Sequence, residues 1–224
     1  MEFRAASDRA VLVYLGEEIG LASHQRVCKL LRLLQEEPIA WVRNIQPAYC
    51  SLLMSFDSSQ VDHREVETTL RQYEQRAAKM ALPEPSTVEI PVCYGGEFGP
   101  DLDALAATHK LSALRAIELH TSRTYRAYFL GFAPGFAYLG DLAPEIATPR
   151  LATPRKKVAA GSVGIAGPQT AVYPFATPGG WRLIGRTPLE MFRKDREPMG
   201  LISMGDEVSF RAITREEFAA WPPP

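Results

Sequence analysis

Apolar positions change their period several times along this chain of 224 residues, and each change predicts an element. Ala10 to Leu15 (AVLVYL) is a short apolar run suited to a strand. Val27, Leu30, Leu31 and Leu34 then recur at the i, i+3, i+4, i+7 spacing of an amphipathic helix, which stops near Pro38. IAWVRN (39–44) and YCSLLMSF (49–56) read as two strands, with Gln46-Pro47 as the hairpin turn between them. Asp62 is a good N-cap with Glu65 three residues on, and Val66, Leu70, Tyr73, Ala77 and Met80 form one face of a second helix. Pro83-Glu84-Pro85-Ser86 breaks that helix, and TVEIPV (87–92) is the next strand. The order β-α-β-β-α-β is that of a ferredoxin-like unit. It carries no function by itself.

Beyond about residue 93 the texture changes. Two short helices are expected, Asp101 to His109 and Ser112 to His120, followed by a strand at TYRAYFLG (124–131). Nine of the sixteen glycines and eight of the eighteen prolines then fall between Gly131 and Pro188, which rules out long helices there. SVGIAG, TAVYPF, WRLIGRT and DEVSFRAI are short β-prone pieces between these breakers, the pattern of a sandwich or small barrel. The expected architecture is a small α+β domain at 1–85 followed by a mainly-β domain at 86–224. The terminal WPPP reads as a loose tail.

Composition narrows the function classes. Hydrophobic residues make up 46% and charged residues 23%, ordinary values for a globular protein. The net charge of -1 provides no global attraction to nucleic acid or an anionic membrane, so neither is expected as a partner. No apolar run approaches the roughly 20 residues that span a bilayer. The opening MEFRAASDRA carries charges where a signal peptide needs an apolar stretch. Cys28, Cys50 and Cys93 form neither a CxxC pair nor a metal spacing, which suits inert thiols in a reducing cytoplasm. The four histidines are scattered, and no metal site is expected.

Charge is distributed unevenly all the same. From Ile146 to Leu189 there is no Asp or Glu, while Arg150, Arg155, Lys156, Lys157, Arg182 and Arg186 lie in the same span. Such a span attracts a carboxylate, a phosphate or an acidic partner surface. The alternative is a solvated face whose counter-charges come from elsewhere in the fold. Arg155 and Arg186, set among Gly and Pro, suit bidentate anion recognition. ATPRLATPRKK (147–157) repeats ATPR, and its X-Pro steps make it a stiff strap presenting Arg150 and Arg155 at a fixed separation.

GSVGIAGPQT (161–170) is neither a Walker A loop nor a nucleophile elbow. Its glycines suit either close approach of backbone N–H groups to a ligand, beside Ser162, or tight barrel corners. Gln169 offers an amide donor and acceptor, suited to a neutral amide or lactam as well as to a buried turn. Tyr173 and Trp181 suit stacking on a small ring or packing in the core. His120 is a candidate general base, with a structural hydrogen-bonding role as the alternative. GFAPGFAYLG (131–140) combines three aromatics with Gly and Pro. Phe132 and Phe136, with Pro134 between them, read as an apolar wall that keeps water from a polar reaction or as a surface for a partner subunit, with a turn buried in the core as the alternative.

Four segments carry a resemblance to a known family. IPVCYGGEFGPDL (90–102), IELHTSRTYRAYFLGFAPGFAYLG (117–140), ATPRKKVAAGSVGIAGPQTAVYPFATPGGWRLIGRTP (152–188) and MGDEVSF (204–210) resemble the KipI-like family. Ala137 and Pro168 depart from its usual residues at two conformational positions. The resemblance implies a small N-terminal α+β domain followed by a cyclophilin-like β-barrel. It also implies one subunit of an ATP-dependent enzyme, using Mg2+, that opens 5-oxo-L-proline to L-glutamate. The implied partners are a larger subunit with a related barrel (the C subunit, similar to the KipI antagonist) and a third, A subunit. Within the family, processing of urea or allophanate and inhibition of a histidine kinase are alternatives. Under the 5-oxoprolinase reading His120, Arg155 and Gln169 are the catalytic candidates, and Phe132, Phe136, Arg150, Ser162, Tyr173, Trp181 and Arg186 would contact substrate or ATP.

Overall fold

The computed structural model describes residues 1–222, so the last two residues of WPPP lie outside the described part. The chain divides into two compact units, Met1–Glu84 and Pro85–Pro224.

The first unit contains β1 (Glu2–Ser7), β2 (Ala10–Tyr14), α1 (Leu21–Glu36), β3 (Val42–Pro47), β4 (Ser51–Phe56) and α2 (His63–Ala77). Its sheet has the order β1-β2-β4-β3, and every pairing is antiparallel. Val27, Leu30 and Leu34 are buried as their spacing demands, and so are Val66 and Leu70 on α2. Asp62 and Glu65 form a reciprocal capping box at the start of α2.

This unit is not the expected β-α-β-β-α-β arrangement. Its order is β-β-α-β-β-α, because the edge strand comes from the N-terminus. All residues of β1 but Phe3 are exposed, so EFRAAS has no buried face to betray a strand. The hairpin turn also lies later than expected: Pro47 sits in β3 and pairs with Leu52. Its missing N–H is tolerated there because β3 is an edge strand.

The second unit begins with β5 (Thr87–Tyr94), the strand expected to complete the first sheet, which joins a barrel instead. There follow α3 (Leu102–Thr108), α4 (Ala113–Thr121), β6 (Thr124–Leu130), β7 (Ala137–Leu139) and a 3-10 turn at Pro144–Ile146. The chain continues through β8 (Arg155–Val158), β9 (Ser162–Ala166), β10 (Gln169–Val172), β11 (Thr177–Gly179), β12 (Arg182–Arg186), β13 (Glu207–Ala212) and α5 (Arg215–Ala219). Seven strands close in the order β10-β7-β6-β13-β5-β12-β9, with β9 pairing β10. Strands β8 and β11 form a separate two-stranded ribbon.

The main core fills the barrel with Ile90, Val92, Tyr125, Leu139, Ile165 and Val208 among others. A smaller cluster gathers Phe136, Val158, Ala171, Tyr173, Trp181 and Leu183. No described helix is long and apolar enough to cross a membrane.

Gly99 marks a close crossing of backbones just before α3. A Cβ there would lie 2.0 Å from the Ile184 carbonyl oxygen, 2.2 Å from its carbon and 2.7 Å from the Gly185 nitrogen. None of these is the end of a flexible side chain, so the crossing cannot relax cheaply. Gly99→Ala is expected to cost about 1–3 kcal/mol or more, as overpacking does. A denaturant midpoint equal to wild type would show that the crossing is loose.

Candidate functional site

One group of candidates converges around Trp181. Phe136 is 1% exposed and lies edge-on to Tyr173, at 5.4 Å, and to Trp181, at 5.6 Å between ring centroids. Tyr138 joins the group at 4.9 Å from Phe136 and stacks on Phe129 at 4.4 Å. Burial pushes the Tyr173 and Tyr138 hydroxyls up in pKa, so both stay protonated at neutral pH. Phe136, Tyr173 and Trp181 are therefore a packed floor, not free stacking faces.

Phe132 differs from them. It is 62% exposed and sits at φ 69, a left-handed conformation that is uncommon for a bulky residue. Strain of this kind is of order 1–3 kcal/mol and collects at functional loops. The Phe132 ring lies 5.3 Å from that of Phe136 and 6.3 Å from that of Tyr173. Gly135, in the same loop, has φ 80. A Cβ there would fall 2.8 Å from the Phe192 Cβ, so the loop is pressed against that residue.

The strap delivers two arginines to this floor. The exposed Arg150 guanidinium lies 5.7 Å from the centroid of the Trp181 ring, a cation–π arrangement. Arg155 is held more firmly. Its Nη2 donates to Asp101 Oδ1 at 2.7 Å, and its Nη1 lies 3.5 Å from the Trp181 carbonyl. The other Asp101 oxygen accepts the Leu183 N–H at 2.7 Å. Among the described residues Arg155 is the one cation of the acid-free span in an ion pair, while Arg150, Lys156, Lys157, Arg182 and Arg186 are in none. The counter-charge for Arg155 thus comes from outside the span. The sequence marks Asp101 only as a helix start. An acid flanked by Gly99, Pro100 and Leu102 is too common a pattern to single out.

Ser162 and Arg186 border this group, since the Ser162 carbonyl accepts the Tyr173 N–H at 2.9 Å. Ser162 is buried, and it pairs across the sheet with Arg186. Arg186 donates from Nε to the Ala160 carbonyl at 2.9 Å and lines a cleft of about 430 Å³ with Phe175, Glu190 and Phe192. Gln169 is half-buried at the start of β10, opposite Ala166. Among the described residues no cluster of His, Cys, Asp or Glu suits a metal ion.

His120 is not placed to act as a base. It is 0% exposed, and both ring nitrogens are engaged. Thr170 gives its hydroxyl hydrogen to the Gly164 carbonyl at 3.1 Å, so it accepts from His120 Nε2 at 2.9 Å. Nδ1 therefore accepts from the Tyr94 hydroxyl at 2.7 Å. Phe210 and Tyr125 pack on the ring at 4.4 and 5.4 Å. Burial lowers the His120 pKa from 6.5 to about 3, so the folded protein keeps it neutral.

A stability prediction follows from that burial. Below pH 6.5 the unfolded chain takes up a proton at this histidine, while the folded chain refuses it down to about pH 3. Stability should therefore fall as pH drops through this window, with a slope of up to about 1.4 kcal/mol per pH unit from this group. His120→Gln keeps one donor and one acceptor but cannot titrate. Its slope between pH 4 and 6 should be shallower by that amount, and equal slopes would contradict the burial of a neutral ring.

The family model described as carboxyltransferase domain, subdomain C and D, matches residues 1–202. The chain is 42% identical over 224 residues to the B subunit of 5-oxoprolinase from Bacillus subtilis (strain 168), covering 96% of this chain and 93% of that protein. It is 44% identical over 208 residues to the B subunit of 5-oxoprolinase from Escherichia coli O157:H7, covering 91% and 92% respectively. Among solved structures, the conserved uncharacterized protein PH0987 from Pyrococcus horikoshii is 44% identical, with a TM-score of 0.58 over 97% of this chain and 100% of that one. The urea amidolyase of K. lactis shares the fold alone, at 21% identity and a TM-score of 0.79 over 97% of this chain and 15% of that one.

Proposed function

This chain belongs to the carboxyltransferase domain, subdomain C and D, family, and we propose that it serves as one subunit of a 5-oxoprolinase. The observation that carries this reading is the 42% and 44% identity, over more than nine-tenths of each chain, to proteins named as the B subunits of 5-oxoprolinases. The urea alternative draws on weaker likenesses, 23% identity to a urea amidolyase of which this chain covers 13%, and 21% to a solved one.

The reaction we assign is ATP-dependent opening of 5-oxo-L-proline to L-glutamate. A lactam carbonyl resists attack by water. Transfer of the ATP γ-phosphoryl group to the lactam oxygen releases ADP and makes the ring carbon electrophilic. Water then adds, the C–N bond breaks, and phosphate leaves. Each stage needs positive charge beside a developing anion and walls that exclude bulk water. Arg150, with Lys156 and Lys157 on the same strap, supplies cations that no side chain neutralises among the described residues. The exposed Phe132, edge-on to the buried Phe136, supplies the apolar wall. In this reading Arg150 meets the phosphoryl-bearing anion and Arg155 holds the strap. ATP with Mg2+ is a co-substrate shared with the larger C-type subunit and the third, A-type subunit, and the assembly works in the cytoplasm.

The test mixes this chain with the two partner subunits, 5-oxoproline and ATP, and measures glutamate. Glutamate should form only when this chain is present. A complete mixture that makes none, while urea with bicarbonate consumes ATP, would reverse the assignment. In the same assay Arg150→Ala should lower kcat/KM by about tenfold or more, the scale of one charge-assisted hydrogen bond. Undiminished turnover would remove Arg150 from the site.

A further inference from the structure

The cleft at Arg186 has an arrangement of charge that the basic strap does not share. Its volume of about 430 Å³ falls within the range of small-molecule sites. Phe175 and Phe192 meet edge to face in it, with centroids 5.7 Å apart, and Pro188 and Leu189 extend the apolar lining. Phe175 remains 40% exposed, so this wall is open to a ligand. Two charged side chains line the same cleft, Arg186 and Glu190. They do not pair with each other. Among the described residues Arg186 is in no ion pair, and the Glu190 carboxylate has only Arg193, at 3.8 Å. The Arg186 bond from Nε to the Ala160 carbonyl fixes the plane of the guanidinium. A fixed planar guanidinium is prepared for a carboxylate, since only ligand-facing motion remains to be lost on binding.

We propose that this cleft seats a small α-amino-acid-like ligand, with its carboxylate on Arg186, its nitrogen on Glu190 and its methylenes against Phe175 and Phe192. The proposal rests on the 5-oxoprolinase reading and places the substrate within this chain. 5-Oxo-L-proline has the required pattern: a carboxylate, a ring N–H on the adjacent carbon and an apolar edge. When the C–N bond breaks, that nitrogen becomes the α-ammonium group of glutamate. Glu190 then faces a full positive charge in place of an amide N–H, so the same two contacts hold substrate and product. The loop 131–136 bears on this cleft through Gly135, which is packed against Phe192.

Ligand-observed NMR titration of the purified chain tests this with 5-oxo-L-proline, L-glutamate and 2-pyrrolidinone, which lacks the carboxylate. The two acids should compete for one site and 2-pyrrolidinone should bind about tenfold or more weakly, the scale of a charge-assisted contact. Arg186→Gln should weaken both acids by about tenfold or more. The exposed Glu190→Gln, which leaves the Arg186 anchor untouched, should weaken glutamate more than 5-oxoproline. No binding of either acid to the wild-type chain would overturn the proposal. So would wild-type affinity in both variants. Acid binding that is lost in Arg186→Gln, together with no glutamate from the complete subunit mixture, would uphold the cleft and overturn the 5-oxoprolinase reading.

Discussion

A carboxylate taken out of water must be paired, and the Asp101 side chain is the point at which this constraint shapes the second unit. Asp101 is 8% exposed, and the cost of leaving such a charge unpaired is several kcal/mol. Its two oxygens are shared between the Leu183 N–H on β12 and the Arg155 guanidinium on the strap. Its own N–H donates to the Leu183 carbonyl at 2.9 Å. One residue thus joins the start of α3, a barrel strand and the proline-rich strap. The Arg155 end of the strap is fixed by it, and Arg150 is carried on the same stiff segment over Trp181. Trp181 in turn packs on Phe136, whose loop carries the strained Phe132.

How much of this was legible in the residues depended on whether the signal was local. The helices α1 and α2 follow from their apolar spacing, and Asp62 with Glu65 announces the cap of the second. The short strands between glycines and prolines point to a sandwich or small barrel, and the fold is the barrel. Strand β1 could not be found, because an exposed edge strand has no period-two burial to read. The placement of β5 could not be found either: TVEIPV is a good strand in any sheet, and its parallel partner β13 lies far along the chain.

The site divides along the same line. An acid-free run of Arg and Lys is visible as composition, but its counter-charge is supplied by a residue distant in sequence. His120 ends a helix in an apparently active region, yet its surroundings come from Tyr94, Thr170 and Phe210 on three separate strands. No local pattern says that the ring is enclosed. Glu190 stands immediately beyond the acid-free run. The fold returns it to the cleft of Arg186. Two kinds of electrostatic seat result, one of positive charge alone on the strap and one of mixed charge in the cleft. A reaction that handles both phosphate and an amino acid would require both.

The dependence of the strap on Asp101 is tested most directly by a double-mutant cycle on glutamate formation in the reconstituted assembly, using Asp101→Asn, Arg155→Gln and the pair. Each single change should lower kcat/KM, and the pair should be no worse than the weaker single variant, a coupling of about 0.5–3 kcal/mol. Losses that add to within about 0.5 kcal/mol would show that the two residues act independently and that the strap is held by something else.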